Sequence, residues 1–175
     1  NPRVVAIDTS NNNMYVPNSD SDSVSVINGT TVLATIDVQA GPLFAVADSS
    51  NHRVYVTNWY SDSVSVLQGT TLLGTVPVGK NPRMAAIDPN THYAFVVNTY
   101  GNTVSVLDGT SVIGTLAPGL EPRFIVYNSV NHYMYVSNKA NGTVSVFNGL
   151  TKLGDVIVGS QPEDMAVDAN GNVYV

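Results

Sequence analysis

Three arginines occupy equivalent places along the chain and have the chemistry to bind an anion. Arg3, Arg83 and Arg123 each follow a proline directly. Guanidinium groups hold carboxylates and phosphates through paired hydrogen bonds, so several of them close together could bind such a group. The alternative, which we favour, is that each arginine caps backbone carbonyls or pairs with a nearby aspartate.

Aromatic side chains form a second candidate binding set. Trp59 is the only tryptophan and stands beside Tyr60, and Tyr100 follows Tyr60 after 40 residues. Such rings present flat apolar faces with polar tips, which suit sugar rings or a protein partner. The alternative is that they only pack against a neighbouring part of the fold.

Neither the histidines nor the aspartates of the sequence have the spacing of a metal site. His52, His92 and His132 are also 40 residues apart, and equivalent positions in separate structural units lie too far apart for a zinc shell of about 2 Å. We therefore predict a local turn role for each histidine. The segment Asp20–Asp22 has oxygens suited to calcium but lacks the calcium-loop pattern, so solvated turn residues are favoured.

Nothing in the sequence indicates catalysis. No Ser-His-Asp spacing, glycine-rich phosphate loop or close carboxylate pair is present, and the only glutamates are Glu121 and Glu163. The absence of cysteine removes thiolate nucleophiles and Cys-based metal sites. We predict no catalytic residue, no metal and no cofactor.

The composition indicates a charge-poor, polar protein. Charged residues make up 11% of the 175 residues and the net charge is −6, whereas an ordinary soluble domain has about 25% charged residues. The seven basic residues are scattered, which argues against nucleic acid, and no apolar run reaches the roughly 20 residues of a membrane helix. Abundant Asn, Ser, Thr and Val favour a secreted prokaryotic β protein, placed outside the cell or on its surface.

Two asparagines match the glycosylation sequon. They are Asn28, in Asn28-Gly29-Thr30, and Asn141, in Asn141-Gly142-Thr143. Such matches arise easily in a chain this rich in Asn and Thr, and Asn28-Gly29 also predicts a hairpin turn in which both residues have positive φ. We regard both asparagines as weak candidates.

The candidate residues described above lie in a tandem repeat of 40 residues. Prolines, Val-Ser-Val triplets, glycines and asparagines recur at this step without an insertion. The repeat divides one continuous region, 1–175, into units 2–41, 42–81, 82–121 and 122–161 and a partial unit 162–175.

Each unit predicts four short strands. In the first unit they are Val4–Asp8, Met14–Asn18, Val24–Ile27 and Thr31–Val38, and no segment has the 3.6-residue period of a helix. A four-stranded unit of about 40 residues in tandem predicts an all-β fold, a β-propeller of four-stranded antiparallel blades. A flat solenoid is the alternative. Asp or Asn at the end of each first strand is expected to form a side-chain-to-backbone turn; these residues are Asp8, Asp48, Asp88, Asn128 and Asp168.

The strand-two motif resembles the YVTN β-propeller repeat family. Tyr55-Val56-Thr57-Asn58 is the signature itself, and Tyr15–Asn18 and Tyr135–Asn138 are near copies. Gly-x-x-Pro before the first strands resembles the family as well, although Gln39 replaces the glycine in the first link. The resemblance implies cell-surface proteins, including archaeal surface-layer proteins. It also implies that strand one lines a central channel and that the two-to-three loops lie on the ligand face.

The two-to-three loops vary while the framework around them hardly changes, and variable loops on a rigid scaffold often carry function. The candidate ligand-binding residues on this face are Trp59, Tyr60, Tyr100, Lys139, Arg3, Arg83 and Arg123. The expected role is a non-catalytic extracellular or cell-surface scaffold that recognises a protein, a glycan or copies of itself.

The alternative function is a propeller enzyme such as a streptogramin-lyase-like lyase, or an accessory subunit of a redox enzyme. The lyase resemblance implies a His, a Glu and Mg²⁺ at the channel mouth, whereas here the histidines are predicted on the other face and Glu is scarce.

Four blades lie at the lower limit for closing a ring. We therefore expect either a larger propeller or completion of the last blade by another chain, giving an oligomer or a filament by strand addition.

Overall fold

A computed structural model describes all residues 1–175 and consists of β-strands joined by short turns. Four antiparallel sheets of four strands are followed by one sheet of two strands. No helix long and apolar enough to cross a membrane occurs in the structure.

The strands follow the repeat. Blade 1 contains β1 (Ala6–Asp8), β2 (Asn13–Asn18), β3 (Ser23–Asn28) and β4 (Thr31–Asp37). Blade 2 contains β5 (Pro42–Asp48), β6 (Arg53–Asn58), β7 (Ser63–Gln68) and β8 (Thr71–Pro77). Blade 3 contains β9 (Pro82–Asp88), β10 (Tyr93–Asn98), β11 (Thr103–Asp108) and β12 (Ser111–Leu116). Blade 4 contains β13 (Pro122–Tyr127), β14 (Met134–Asn138), β15 (Thr143–Asn148) and β16 (Thr151–Ile157). The partial blade contains β17 (Ala166–Val167) and β18 (Val173–Tyr174).

The blades are arranged around an axis, with the first strand of each blade innermost. Strands β1, β5, β9 and β13 contact one another in sequence, and Val4 forms a parallel bridge with Phe44. The fourth strands lie on the outside and are largely exposed. The structure therefore confirms the predicted all-β propeller of four full blades and part of a fifth.

The hydrophobic core lies between blades rather than inside them. Tyr55 of blade 2 is fully buried and packs in one cluster with Ala85 and Val96 of blade 3. Tyr15 and Phe95 occupy the same position in their blades and are equally buried. The aromatic residue of the strand-two motif thus fills the space between its own blade and the next.

The asparagine that ends the strand-two motif joins strands two and three. The side-chain amide of Asn58 donates hydrogen bonds to Ser63 Oγ at 3.1 Å and to Ser65 Oγ at 3.0 Å. Asn18, Asn98 and Asn138 make equivalent contacts in the other blades, where threonine replaces the first serine in blades 3 and 4. The repeated Asn and Ser or Thr therefore link strands two and three in every full blade.

The hairpin between strands three and four is present, but its turn is placed differently from the prediction. Asn28 pairs with Thr31 as the last rung of the ladder, so the two loop residues are Gly29 and Thr30. Only Gly29 has a positive φ, at 57°. The expectation that both Asn28 and Gly29 adopt positive φ is wrong, because Asn28 belongs to the strand.

Small residues on the fourth strands let adjacent blades approach closely. A Cβ atom added at Gly114 would lie 3.0 Å from Leu150 of the next blade, and one at Gly74 would lie 3.3 Å from Thr110. At Gly154, which no complete blade follows, a Cβ would meet nothing within 4 Å.

Candidate ligand-binding face

The loops between strands two and three lie beside the links that enter their own blade. Trp59 N–H donates to the carbonyl of Gly41 at 2.9 Å, and Tyr60 N–H donates to that of Ala40 at 3.1 Å. Blades 3 and 4 repeat this contact through Thr99 and Lys139. The loops between strands two and three and the links between consecutive blades therefore form one face at one end of the channel. We call it the mouth face.

A side-chain hydrogen bond fixes each of these loops to its neighbouring link. Asp62 Oδ1 accepts a hydrogen bond from Asn81 N–H at 2.8 Å, and Asp22 Oδ1 accepts one from Gly41 N–H at 2.8 Å. Asp22, one of the two aspartates considered for calcium, is thus engaged in loop closure, and Asp20 lies 3.6 Å from the N-terminal amine. No group of three or more metal-ligating side chains occurs in the structure.

The structure brings Arg3 and Arg83 to one cavity at the channel. This cavity has a volume of about 770 Å³, and its wall includes Leu43, Phe44 and Phe124. These residues come from the first strands of four successive blades or from the segments just before them. The mouth therefore combines an apolar wall with two guanidinium groups and the carboxylate of Asp164.

Glu163 lies next to basic side chains of the mouth. Lys139 Nζ lies 2.6 Å from Glu163 Oε1, and Arg83 Nη2 lies 4.0 Å from Oε2. The hydrogen bond from Lys139 lowers the pKa of Glu163, burial opposes this, and the charges of Lys139, Arg123 and Arg83 lower it further. The partial blade thus places a carboxylate among three cations, at the repeat position that Arg83 occupies in blade 3.

The three arginines differ in their ion pairs. Arg123 Nη2 lies 3.4 Å from Glu121 Oε1, while its buried Nε has no hydrogen-bond partner. Arg83 has the 4.0 Å contact with Glu163, and Arg3 forms no ion pair. We expected each arginine to cap carbonyls or to pair with an aspartate; the carboxylates beside Arg83 and Arg123 are the two glutamates instead.

The aromatic set is both packed and exposed. Trp59 and Tyr100 contact each other edge to face, with ring centroids 5.8 Å apart and planes at 65°. Tyr60 remains 75% exposed and Tyr100 53% exposed. Packing between neighbouring blades therefore holds these rings in place and leaves much of their surface open to a partner.

The histidines lie at the other end of the blades, in the turns between strands one and two. Nδ1 of His92 lies 2.9 Å from Oδ2 of Asp48, and Nδ1 of His52 lies 3.3 Å from Oδ2 of Asp8. Each contact joins a histidine to the preceding blade, so its role extends beyond the local turn that was predicted. Nδ1 of His132 lies 2.8 Å from the hydroxyl of Tyr127 in its own blade and 3.3 Å from Nδ2 of Asn90 in the preceding blade.

The carboxylates in these contacts also form the predicted turns. Asp8 Oδ1 accepts hydrogen bonds from Ser10 N–H at 3.0 Å and Ser10 Oγ–H at 2.6 Å. Backbone N–H groups two residues further on make the same contact in the other units; the acceptors are Asp48, Asp88, Asn128 and Asp168. The sequence indicated these turns but not the second partner in the next blade.

The two candidate glycosylation sites use their side chains locally. Asn28 Nδ2 donates to the carbonyl of Asn11 at 3.0 Å and to Asn13 Oδ1 at 2.9 Å. Asn141 Oδ1 accepts a hydrogen bond from Leu120 N–H. Both residues are exposed, and their modification stays a prediction.

Comparison with solved structures places the chain among β-propeller proteins. The hydrazine synthase of Kuenenia stuttgartiensis is 17% identical, with a TM-score of 0.83 over 97% of this chain and 53% of that one. Virginiamycin B lyase from Staphylococcus aureus is 11% identical, with a TM-score of 0.81 over 98% of this chain and 61% of that one. The WD40 β-propeller domain of Doa1 is 12% identical, with a TM-score of 0.77 over 98% and 60%.

Such low identities show the fold alone, and the chain spans between half and two thirds of the length of these three proteins. No protein-family model and no curated protein matches the sequence. The chain is a β-propeller protein.

Proposed function

We propose that the chain is part of a non-catalytic extracellular or cell-surface propeller that binds a glycan or a protein through its mouth face. The observation that carries this proposal is the exposure of Tyr60 and Tyr100 beside Trp59 on a framework fixed by repeated hydrogen bonds. Rigid aromatic residues lose little conformational entropy on binding and often dominate recognition. The resemblance of Tyr55–Asn58 to the YVTN repeat supports a surface location.

The arrangement of the histidines favours binding over a lyase-like reaction. His52 and His92 lie at the opposite end of the blades from the mouth, and each contacts an aspartate of the preceding blade. The two glutamates of the chain, Glu121 and Glu163, lie at the mouth and contact basic side chains. No histidine is therefore available to share a site with a glutamate at the mouth.

A glycan array and a pull-down from surface extracts test this proposal. We expect binding to weaken at least tenfold in Trp59→Ala and Tyr100→Ala, because truncating an aromatic anchor removes a large part of interface energy. Tyr133→Ala, on the opposite face, is the matched control and should bind like the unaltered chain. Absence of any binding, or equal binding by all variants, would refute the mouth-face proposal.

The flanks of the blade array favour a second role, self-assembly. Val5 is 43% exposed on the free face of blade 1, whereas Ala45, Ala85 and Ile125 at the same repeat position are each 3% exposed between blades. Val156 on blade 4 is 54% exposed, while its equivalent Val76 is 4% exposed. These faces have the composition of the inter-blade interfaces, so we propose that each packs against another blade.

In a solution of this chain alone, only a second copy supplies such a blade. Light scattering over a range of concentrations should therefore give a mass above 18.5 kDa that rises with concentration. A compact monomer of 18.5 kDa at every concentration would contradict self-assembly.

A further inference from the structure

The second repeat departs from the others at two neighbouring positions of the mouth. It carries Leu43 where the first, third and fourth repeats carry arginine, and it alone carries the Trp59-Tyr60 pair. Both departures fall on the wall of the same cleft, which has a volume of about 210 Å³ and lies between Arg3 and Arg83. Replacing arginine by leucine in blade 2 therefore leaves an apolar surface flanked by two guanidinium groups.

The aromatic wall of this cleft is fixed before any ligand arrives. The ring of Tyr60 lies against Gly41, where an added Cβ would approach it to less than 3 Å. The backbone carbonyl of Trp59 accepts a hydrogen bond from Asn81 Nδ2 at 3.0 Å, and its ring contacts Tyr100 edge to face. Preorganised rings reduce the entropy that binding would otherwise cost.

The charge of the cleft is positive and incompletely neutralised. Arg3 has no ion pair, and the contact of Arg83 with Glu163 measures 4.0 Å. Glu163 itself is engaged more closely by Lys139, at 2.6 Å. Arg3 and Arg83 both line the cleft, so their guanidinium groups have donors left to pair with one further carboxylate.

The hydroxyl groups, the size and the aromatic rings of the cleft indicate which kind of carboxylate ligand it suits. Ser19 and the exposed Tyr60 both line the cleft and carry hydroxyl groups, with which a hydroxylated ligand can form hydrogen bonds. Sites for drug-sized ligands occupy roughly 300–1,000 Å³, so this smaller cleft suits a single ring. Flat aromatic faces suit the apolar face of a sugar, and two arginines suit a carboxylate.

From these features we propose that the cleft formed by Arg3, Leu43, Trp59, Tyr60 and Arg83 binds a uronic acid, either free or as a residue of an acidic glycan. The carboxylate lies between the two guanidinium groups and the sugar ring rests on Trp59. This inference rests on the proposed binding role of the mouth face and specifies the class of glycan.

Trp59 provides a direct probe, because it is the only tryptophan and its fluorescence reports on this cleft alone. Titration with glucuronate should change that fluorescence, while glucose, which lacks the carboxylate, and benzoate, which lacks the hydroxyls, should bind at least tenfold more weakly. A glucuronate-containing disaccharide compared with free glucuronate distinguishes a glycan residue from a free sugar acid. Equal affinity for glucose and glucuronate would overturn the inference.

Variants of the two arginines complete the test. Arg3→Gln and Arg83→Gln should each weaken glucuronate binding about tenfold or more, since each removes a charge-assisted contact. Arg53→Gln is the matched control, because Arg53 pairs with Asp108 on the opposite face. Circular dichroism identifies any variant that fails to fold, and the comparison of the three probes on the unaltered chain needs no variant.

The two proposals fail in different ways. If the glycan array finds a Trp59-dependent neutral glycan or a protein partner while glucuronate does not bind, the uronate inference fails and the mouth-face function stands. If no probe and no array component binds, both fail. If both arginine variants retain glucuronate binding, Arg3 and Arg83 do not bind its carboxylate.

Discussion

At the scale of single residues, the side chains with the widest structural effect are those that contact two blades. Asp8 closes a turn in its own blade and also contacts His52 of the next blade. The residue types and their step of 40 residues indicated the turn. The contact with histidine depends on how far one blade is rotated from the next, and a linear pattern does not contain that information.

The Asp8 contacts predict how stability depends on pH. Burial opposes ionisation of Asp8, but hydrogen bonds from Ser10 and His52 outweigh it, so the pKa of the folded protein is lowered. An unfolded aspartate has a pKa of about 3.9. The stabilisation from Asp8 is therefore fully present above that value and is lost as the pH falls through the lower folded pKa.

Substitution of Asp8 by asparagine should reduce the free energy of unfolding at neutral pH by about 1–3 kcal/mol, because the hydrogen bonds to this buried side chain lose their charged acceptor. The loss should be smaller at pH 3, where the aspartate of the unfolded chain is mostly protonated. Urea denaturation at both pH values measures this difference. Asp20→Asn changes an exposed carboxylate and serves as the control; equal losses in the two variants would contradict the prediction.

At the scale of elements, the fourth strands show how one residue sets the distance between blades. Strand four was predicted from its alternating pattern, and the small residue within it was expected to permit close approach. The structure adds an irregularity between strands three and four in every full blade, as at Val66 and Leu67. Such a bulge bends the outer strand, and short-range periodicity does not reveal it.

Gly114 and Gly154 offer a matched test of close approach. Gly114→Val should reduce the free energy of unfolding by about 1–3 kcal/mol, because its side chain would enter the space of Leu150. Gly154→Val should have little effect or stabilise the chain slightly, since the space around it is open and valine favours strands. Denaturation midpoints of the two variants measure the difference, and equal destabilisation would show that inter-blade distance is not the cause.

At the scale of the whole molecule, equivalent residues differ because some blades have a neighbour on each side and others do not. Val5 and Ala45 occupy the same repeat position, yet only Ala45 is enclosed. Ala45→Asp should lower the free energy of unfolding by at least about 3 kcal/mol, because it buries an unpaired charge.

Val5→Asp should change the stability of the monomer by no more than about 0.5 kcal/mol, since its side chain reaches solvent. If blade 1 packs against a second copy, the same substitution should also reduce the mass found by light scattering. Equal tolerance at both positions, measured by urea denaturation, would contradict the blade arrangement described here.

The mouth face marks the boundary of sequence-based prediction. The repeat placed Trp59, Tyr60, Tyr100 and Lys139 in equivalent loops, so their common location followed from the sequence. The pairing of Lys139 with Glu163 and the edge-to-face contact of Trp59 with Tyr100 did not follow, because they join different repeats. The sequence also misplaced the turn at Asn28, and it did not identify glutamates as the carboxylates beside Arg83 and Arg123.

The sequence alone determined the number of repeats, the strand order within each blade and the propeller fold, because all three follow from short-range patterns repeated in phase. The tertiary structure decided which side chains meet across blades and which faces remain uncovered, because the angle between blades sets both. The cleft beside Leu43 illustrates the division. Leu43, Trp59 and Tyr60 stand out in the sequence by their departures from the repeat, but only the packing of blades 1, 2 and 3 brings Arg3, Trp59 and Arg83 to one site.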